Sequence, residues 1–135
     1  MFTTAVTPRF GDVDGLQHIN NTKLPEWFEQ ARGPIFRMFN PSLDLDNWNL
    51  IMARITVDFL DQMFLSYDVE IRTHVVKIGN SSFVLGHEAW QQGRLCVTGE
   101  AVIVHYDFER RQSVRIPDPV RAALTEHLAQ QETVT

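Results

Sequence analysis

The chain has one cysteine, Cys96, in 135 residues. A single thiol closes no internal disulfide, and no CxxC or Cys/His spacing offers a structural zinc site. Cys96 lies in a strand-like run and is read as a packing residue. No apolar run reaches the roughly 18 residues that a membrane helix requires. The opening residues, Met-Phe-Thr-Thr-Ala-Val, lack the basic segment and apolar core of a signal peptide, so a cytoplasmic protein is expected. Basic residues are in deficit: 12 Lys and Arg stand against 17 Asp and Glu, a net charge of −5. That balance argues against duplex nucleic acid as a partner, because neutralising phosphates takes a basic face. It still permits an anionic cofactor held by a few local cations, for which Arg54, Lys77, Arg94, Arg110 and Arg111 are candidates. His74, His87, His105 and His127 are scattered without ligand spacing, so no metal is expected. No Gly-x-Ser-x-Gly elbow occurs, which disfavours a serine hydrolase.

The length suits one domain over residues 1–135. Apolar residues make up 44% of it, enough for an ordinary core without disulfide or metal. Residues 2–9 alternate weakly, as a first strand. Residues 10–22 carry the turn chemistry of Gly11, Gly15, two Asp and two Asn. Leu24, Trp27, Phe28, Ala31, Ile35, Met38 and Phe39 then recur at helical spacing, predicting a helix over 22–39 with its aromatics in the core. Pro25 fits the first turn. Pro34 predicts a kink or a break, since it removes an intrahelical hydrogen bond.

After a polar loop, Ile51, Ala53, Ile55, Val57 and Phe59 alternate with polar neighbours, predicting a strand with one buried face. Further runs begin at Tyr67 and Phe83, and a long one spans Leu95 to Tyr106. Turns fall at Gly79–Ser82 and Gln91–Arg94. Gly99 would let a helix backbone approach the sheet closely. Asp118-Pro119 reads as an N-cap and a first-turn proline, with Val120, Ala123, Leu124 and Leu128 as the inner stripe of a terminal helix. The pattern is an α+β domain whose antiparallel sheet has one apolar helix to cover it. A sheet so served leaves a surface or an edge wanting a partner, which points to self-association.

Chemistry concentrates in Arg9-Phe10-Gly11-Asp12-Val13-Asp14 and His18-Ile19-Asn20-Asn21. Two carboxylates, an imidazole and two carboxamides precede a helix start, where backbone amides and the helix dipole favour negative charge. With Trp27-Phe28-Glu29-Gln30-Ala31-Arg32, Lys77-Ile78-Gly79-Asn80-Ser81-Ser82-Phe83 and Gly93–Ala101, these motifs make nearly the whole chain resemble hot-dog-fold acyl-CoA thioesterases of the 4-hydroxybenzoyl-CoA thioesterase-like group. The resemblance implies a sheet of about five strands wrapped around one long helix, plus a short C-terminal helix. It also implies a homodimer or homotetramer with active sites at subunit interfaces, acyl-CoA as substrate, and no cofactor, metal, nucleic acid or membrane.

By the same resemblance Asp14 is the catalytic carboxylate, as nucleophile or as general base. The backbone of Asn21, Thr22, Lys23 and Leu24 supplies the oxyanion donors. His18 would orient the loop or the carbonyl, and Asn20 would position water or Asp14. Ser81 and Ser82, brought across a dimer, would meet substrate together with Arg54 and Lys77. Asp12 is read as structural. The chain departs from the family pattern at Gln17, where glycine is usual, and by lacking an aromatic early in the helix. Acyl preference and carrier, CoA or acyl carrier protein, stay open. Two other readings compete: a hot-dog enoyl-thioester hydratase or dehydratase pairing His18 with Glu29, and a non-catalytic acyl-thioester-binding protein.

Overall fold

A computed structural model describes residues 1–129. Five strands, β1 (Phe2–Val6), β2 (Leu50–Phe59), β3 (Val69–Ile78), β4 (Ser82–Gln91) and β5 (Arg94–Asp107), form one antiparallel sheet in the order β1-β3-β4-β5-β2. A two-residue strand, β6 (Gln112–Ser113), turns back onto the end of β5. Among the described residues three α-helices accompany the sheet: α1 (Lys23–Ala31), α2 (Gly33–Phe39) and α3 (Asp118–Thr125). Among the described residues no helix is long and apolar enough to cross a membrane.

The local chemistry accounts for these elements. The β4–β5 turn places Gln92 and Gly93 at φ 51° and 73°, the paired positive dihedrals of a tight hairpin that keeps the strands' natural twist. Pro34 falls in the first turn of α2, where its missing N–H costs nothing. The predicted long helix therefore breaks at Arg32–Gly33 rather than bending. Gly99 meets the helix layer through a side chain rather than the helix backbone: a Cβ there would lie 2.9 Å from the Phe28 ring and 3.0 Å from the Thr56 carbonyl oxygen.

That break divides the core. Leu24, Trp27, Phe28 and Ala31 of α1 pack with Val69, Ile71, Ala89, Cys96 and Val97. Ile35 of α2 and Leu124 of α3 pack with Val75, Phe83, Leu85, Ala101 and Ile103. Between the two clusters a row runs across the sheet: Thr73 opposite His87, and His87 opposite Gly99. Arg32, at the helix break, reaches that row.

Three expectations change. Strand β2 does not bury one face: Ile51, Ile55 and Phe59 are 40%, 50% and 52% exposed. It is the sheet edge, and a bulge between Met52 and Arg54 swaps its alternation, so Ile51 and Ile55 lie on opposite faces. Asp118 sits inside the first turn of α3 and pairs with Arg115 at 2.8 Å instead of capping. Leu128 leaves the inner stripe: its side chain is exposed, while its backbone bridges Val75.

Candidate active site

Residues 10–22 form a compact loop anchored at both ends. Val13 bridges Ile19, Ile19 N–H donates to the Met63 carbonyl at 2.8 Å, and Asn20 N–H donates to the Asp12 carbonyl at 2.7 Å. Buried Asp12 is the fastener. Its Oδ2 accepts from the Arg9 amide at 2.8 Å, and Arg9 and Lys23 lie 3.5 and 3.6 Å from its oxygens. Burial pushes its pKa up, but the Arg9 bonds and the charges of Arg9 and Lys23 outweigh this and hold it below the usual value. Its structural reading stands.

Asp14 sits at the tip of that loop, exposed. Its Oδ1 accepts from the Leu16 amide at 2.9 Å and the His18 amide at 3.2 Å. Its own amide donates to the His18 carbonyl at 2.9 Å. Oδ2 has no hydrogen bond among the described residues. The carboxylate lines a cleft of about 620 Å³ with His18, Asn20, Asn21, Leu24 and Phe59. The His18 ring leans edge-on against Phe64, with centroids 5.2 Å apart. Met63 and Val97 add apolar wall.

The start of α1 is less open than the sequence implies. Asn20 folds over it: its Oδ1 accepts from the Thr22 amide at 3.1 Å and from the Thr22 hydroxyl at 3.0 Å, and its carbonyl accepts from Lys23 N–H at 3.0 Å. This is cap chemistry, and it commits two of the four expected donors. Leu24 N–H reaches the Asn21 carbonyl only at 3.4 Å, a weak bond. The Asn21 amide has no partner among the described residues. Asn21 and Leu24 are therefore the amides left for a ligand.

The other candidates lie elsewhere. Ser81 and Ser82 stand at the β3–β4 turn. Ser82 pairs with Val104, while the cleft wall pairs Phe59 with Val97. Seven residues along β5 separate them, about 23 Å at ~3.3 Å per residue. Arg54 lies on exposed β2 opposite Val102, and Lys77 is exposed on β3; neither lines the cleft. Within one protomer none of these four meets Asp14. Arg94 is held by Asp61 at 2.8 Å. Asp61 and Gln62 line the Asp14 cleft and were missed by sequence reasoning, because only the fold brings the β2–β3 connection beside residues 14–21. Glu29 lines a different cleft from His18, so a hydratase pair is not assembled within one protomer. Among the described residues no three His, Cys, Asp or Glu side chains group as metal ligands. Cys96 is buried, and burial raises its thiol pKa, which suits packing rather than attack.

A second polar feature was also missed. His87 is buried and stacks on Phe28 with centroids 4.9 Å apart. Its Nδ1 shares a hydrogen bond with Thr73 Oγ1 at 3.0 Å, and Arg32 Nη1 lies 3.2 Å from its Nε2. Burial, then the charges of Arg32 and His74, lowers its pKa to about 3, so the ring is neutral at pH 7. Arg32, also buried, has its pKa lowered by burial.

Comparison with known proteins extends this picture. A structure of a predicted thioesterase from Bacillus stearothermophilus matches with 40% identity and a TM-score of 0.92, over 96% of this chain and 98% of that one. A thioesterase from Thermus thermophilus, crystallised with coenzyme A and Zn, matches with 27% identity and a TM-score of 0.80, over 90% of this chain and 95% of that one. An uncharacterised Bacillus subtilis (strain 168) protein, YsmA, is 26% identical over 124 residues, which span 91% of this chain and 84% of that relative. The model of the thioesterase-like superfamily matches residues 8–124. The chain belongs to the thioesterase-like superfamily.

Proposed function

We propose that this chain hydrolyses an acyl-CoA thioester to the free acid and CoA, working as a homodimer, with Asp14 as its catalytic carboxylate. The observation that carries the reading is the Asp14 carboxylate itself. It is fixed through Oδ1, open through Oδ2, and faces a cleft that also holds the start of α1. Oδ2 attacks the thioester carbonyl, or takes a proton from the water that attacks. The carbonyl oxygen gains negative charge and is met by the Asn21 and Leu24 amides at the positive end of α1. His18 and Asn20 act by shape: His18 closes the Asp14 turn, and Asn20 fixes the helix start. The Thermus thermophilus relative crystallised with coenzyme A supports CoA as carrier. The exposed apolar edge β2 supports the homodimer.

The test is a panel of acyl-CoA and acyl-carrier-protein thioesters followed by thiol release, with Asp14→Asn beside the parent chain. General acid–base or nucleophilic assistance is typically worth about 10²–10⁴ in rate, so the variant should lose at least about 10²-fold on the best substrate. A variant that turns over at the parental rate removes Asp14 from the mechanism. A parent chain that binds thioesters but cleaves none removes the hydrolase reading.

A further inference from the structure

Arg32 is a buried cation without a direct ion pair, the charge of Glu29 acting on it from beyond pairing distance. Its side chain is 5% exposed. Among the described residues no carboxylate lies within ion-pairing distance of its guanidinium. Among the described residues the guanidinium has one hydrogen-bond partner, His87 Nε2, and its buried Nε has none. Neutral His87 spends its other nitrogen on Thr73. Burying an unpaired charge is costly, and a guanidinium has several donors aimed in fixed directions. Such a group favours an incoming planar anion, which it grips through two parallel bonds.

There is room for one. Arg32 lines a second cleft, about 420 Å³, between the helices and edge strand β2. Its other walls are mainly apolar: Phe36, Trp48, Met52, Ile55 and Ile103. This cleft is the neighbour of the Asp14 cleft. Leu24 lines one and Pro25 the other; Phe59 lines one and Ile55 the other. From Leu24 to Arg32 is eight residues of helix, about 12 Å at ~1.5 Å each, the reach of a medium-length acyl chain. The space directly beneath, lined by Phe28, Val57 and His87, holds only about 10 Å³. A chain would therefore pass over Pro25 and Ile55, along the edge strand where the second protomer of the proposed dimer docks. Glu26 and Glu29 stand at the same cleft and oppose an anion there, although neither pairs with Arg32.

We infer that the second cleft receives the far end of the acyl group, and that this end carries a carboxylate bound by Arg32: the preferred substrates are thioesters of medium-length dicarboxylic acids. This rests on the proposed thioesterase reading and makes Arg32 a specificity residue.

Two non-hydrolysable thioethers test it by calorimetry: S-(7-carboxyheptyl)-CoA and S-octyl-CoA, with the parent chain, Arg32→Gln and Glu29→Gln. The parent should bind the carboxylate analogue about tenfold or more tightly, as one charge-assisted contact gives. Arg32→Gln should bring the ratio near one, and Glu29→Gln should raise it. Equal binding of the two analogues by the parent, or an unchanged ratio in Arg32→Gln, overturns the inference while leaving the thioesterase reading intact. A carboxylate from a second protomer on Arg32 would give the equal-binding result. Binding of neither analogue overturns the thioesterase reading and the inference together. The parent ratio decides the matter even if Arg32→Gln fails to fold.

Discussion

Asp12 and Asp14 are two residues apart and opposite in character. Asp12 is sealed beneath Arg9 and Lys23; Asp14 is open to the cleft. Replacing Asp12 by Asn should therefore act on stability first. Charge-assisted hydrogen bonds are worth about 1.5–3 kcal/mol, and a loss of that size is expected in urea unfolding. The Asp12 pKa is lower folded than unfolded, so its stabilisation is present above the ordinary carboxylate range. It fades as pH falls through the folded value. Acid unfolding should accordingly be less steep in Asp12→Asn than in the parent. His87 works with the other sign of charge. With a folded pKa of about 3, it stays neutral while the unfolded chain takes up a proton near pH 6.5. Folding stability should fall by about 1.4 kcal/mol for each pH unit below that point. Between pH 6.5 and 5 the parent should lose about 2 kcal/mol more than His87→Gln by the same arithmetic; equal losses would show that His87 is not buried neutral.

The helix–sheet contact at Gly99 is tight. Gly99→Ala would press a methyl against Phe28 and the Thr56 carbonyl, and overpacking of this kind costs about 1–3 kcal/mol. Gly15→Ala, which meets nothing within 4 Å, is the matched control and should leave stability nearly unchanged. Thermal melts of the two variants check the pair. This contact was readable from a glycine inside a strand pattern. So were the helix break at Pro34 and the place of Asp14, because backbone restriction and turn chemistry are local. The bulge in β2 was not readable. An alternation of Ile51, Ala53 and Ile55 looks unbroken in sequence, and only pairing with β5 reveals Ala53 as the extra residue. The neighbourhood of Asp61 was hidden for a related reason: it depends on which chain segments meet. The free amides at the start of α1 were overcounted because Asn20 closes on that helix from outside it.

At the scale of the molecule, the edge strand is the unfinished part. Ile55 and Phe59 project from one face of β2 beside the two clefts, each about half exposed among the described residues. Unpaired strand edges bearing apolar side chains are templates for association. A dimer is expected by analytical ultracentrifugation at micromolar concentration, and Ile55→Lys should shift it toward monomer. A monomeric parent chain would remove the homodimer from the proposal.

The Asp14 loop is fastened by Asp12, Ile19 and Asn20 to its own neighbours and to Met63, not to β2. The edge strand gives the Asp14 cleft Phe59 and gives the second cleft Leu50, Ile51, Met52 and Ile55. The proposed chemistry and the inferred selectivity thus hang on separate supports. Residues along β2 are free to drift while the Asp14 carboxylate keeps its aim.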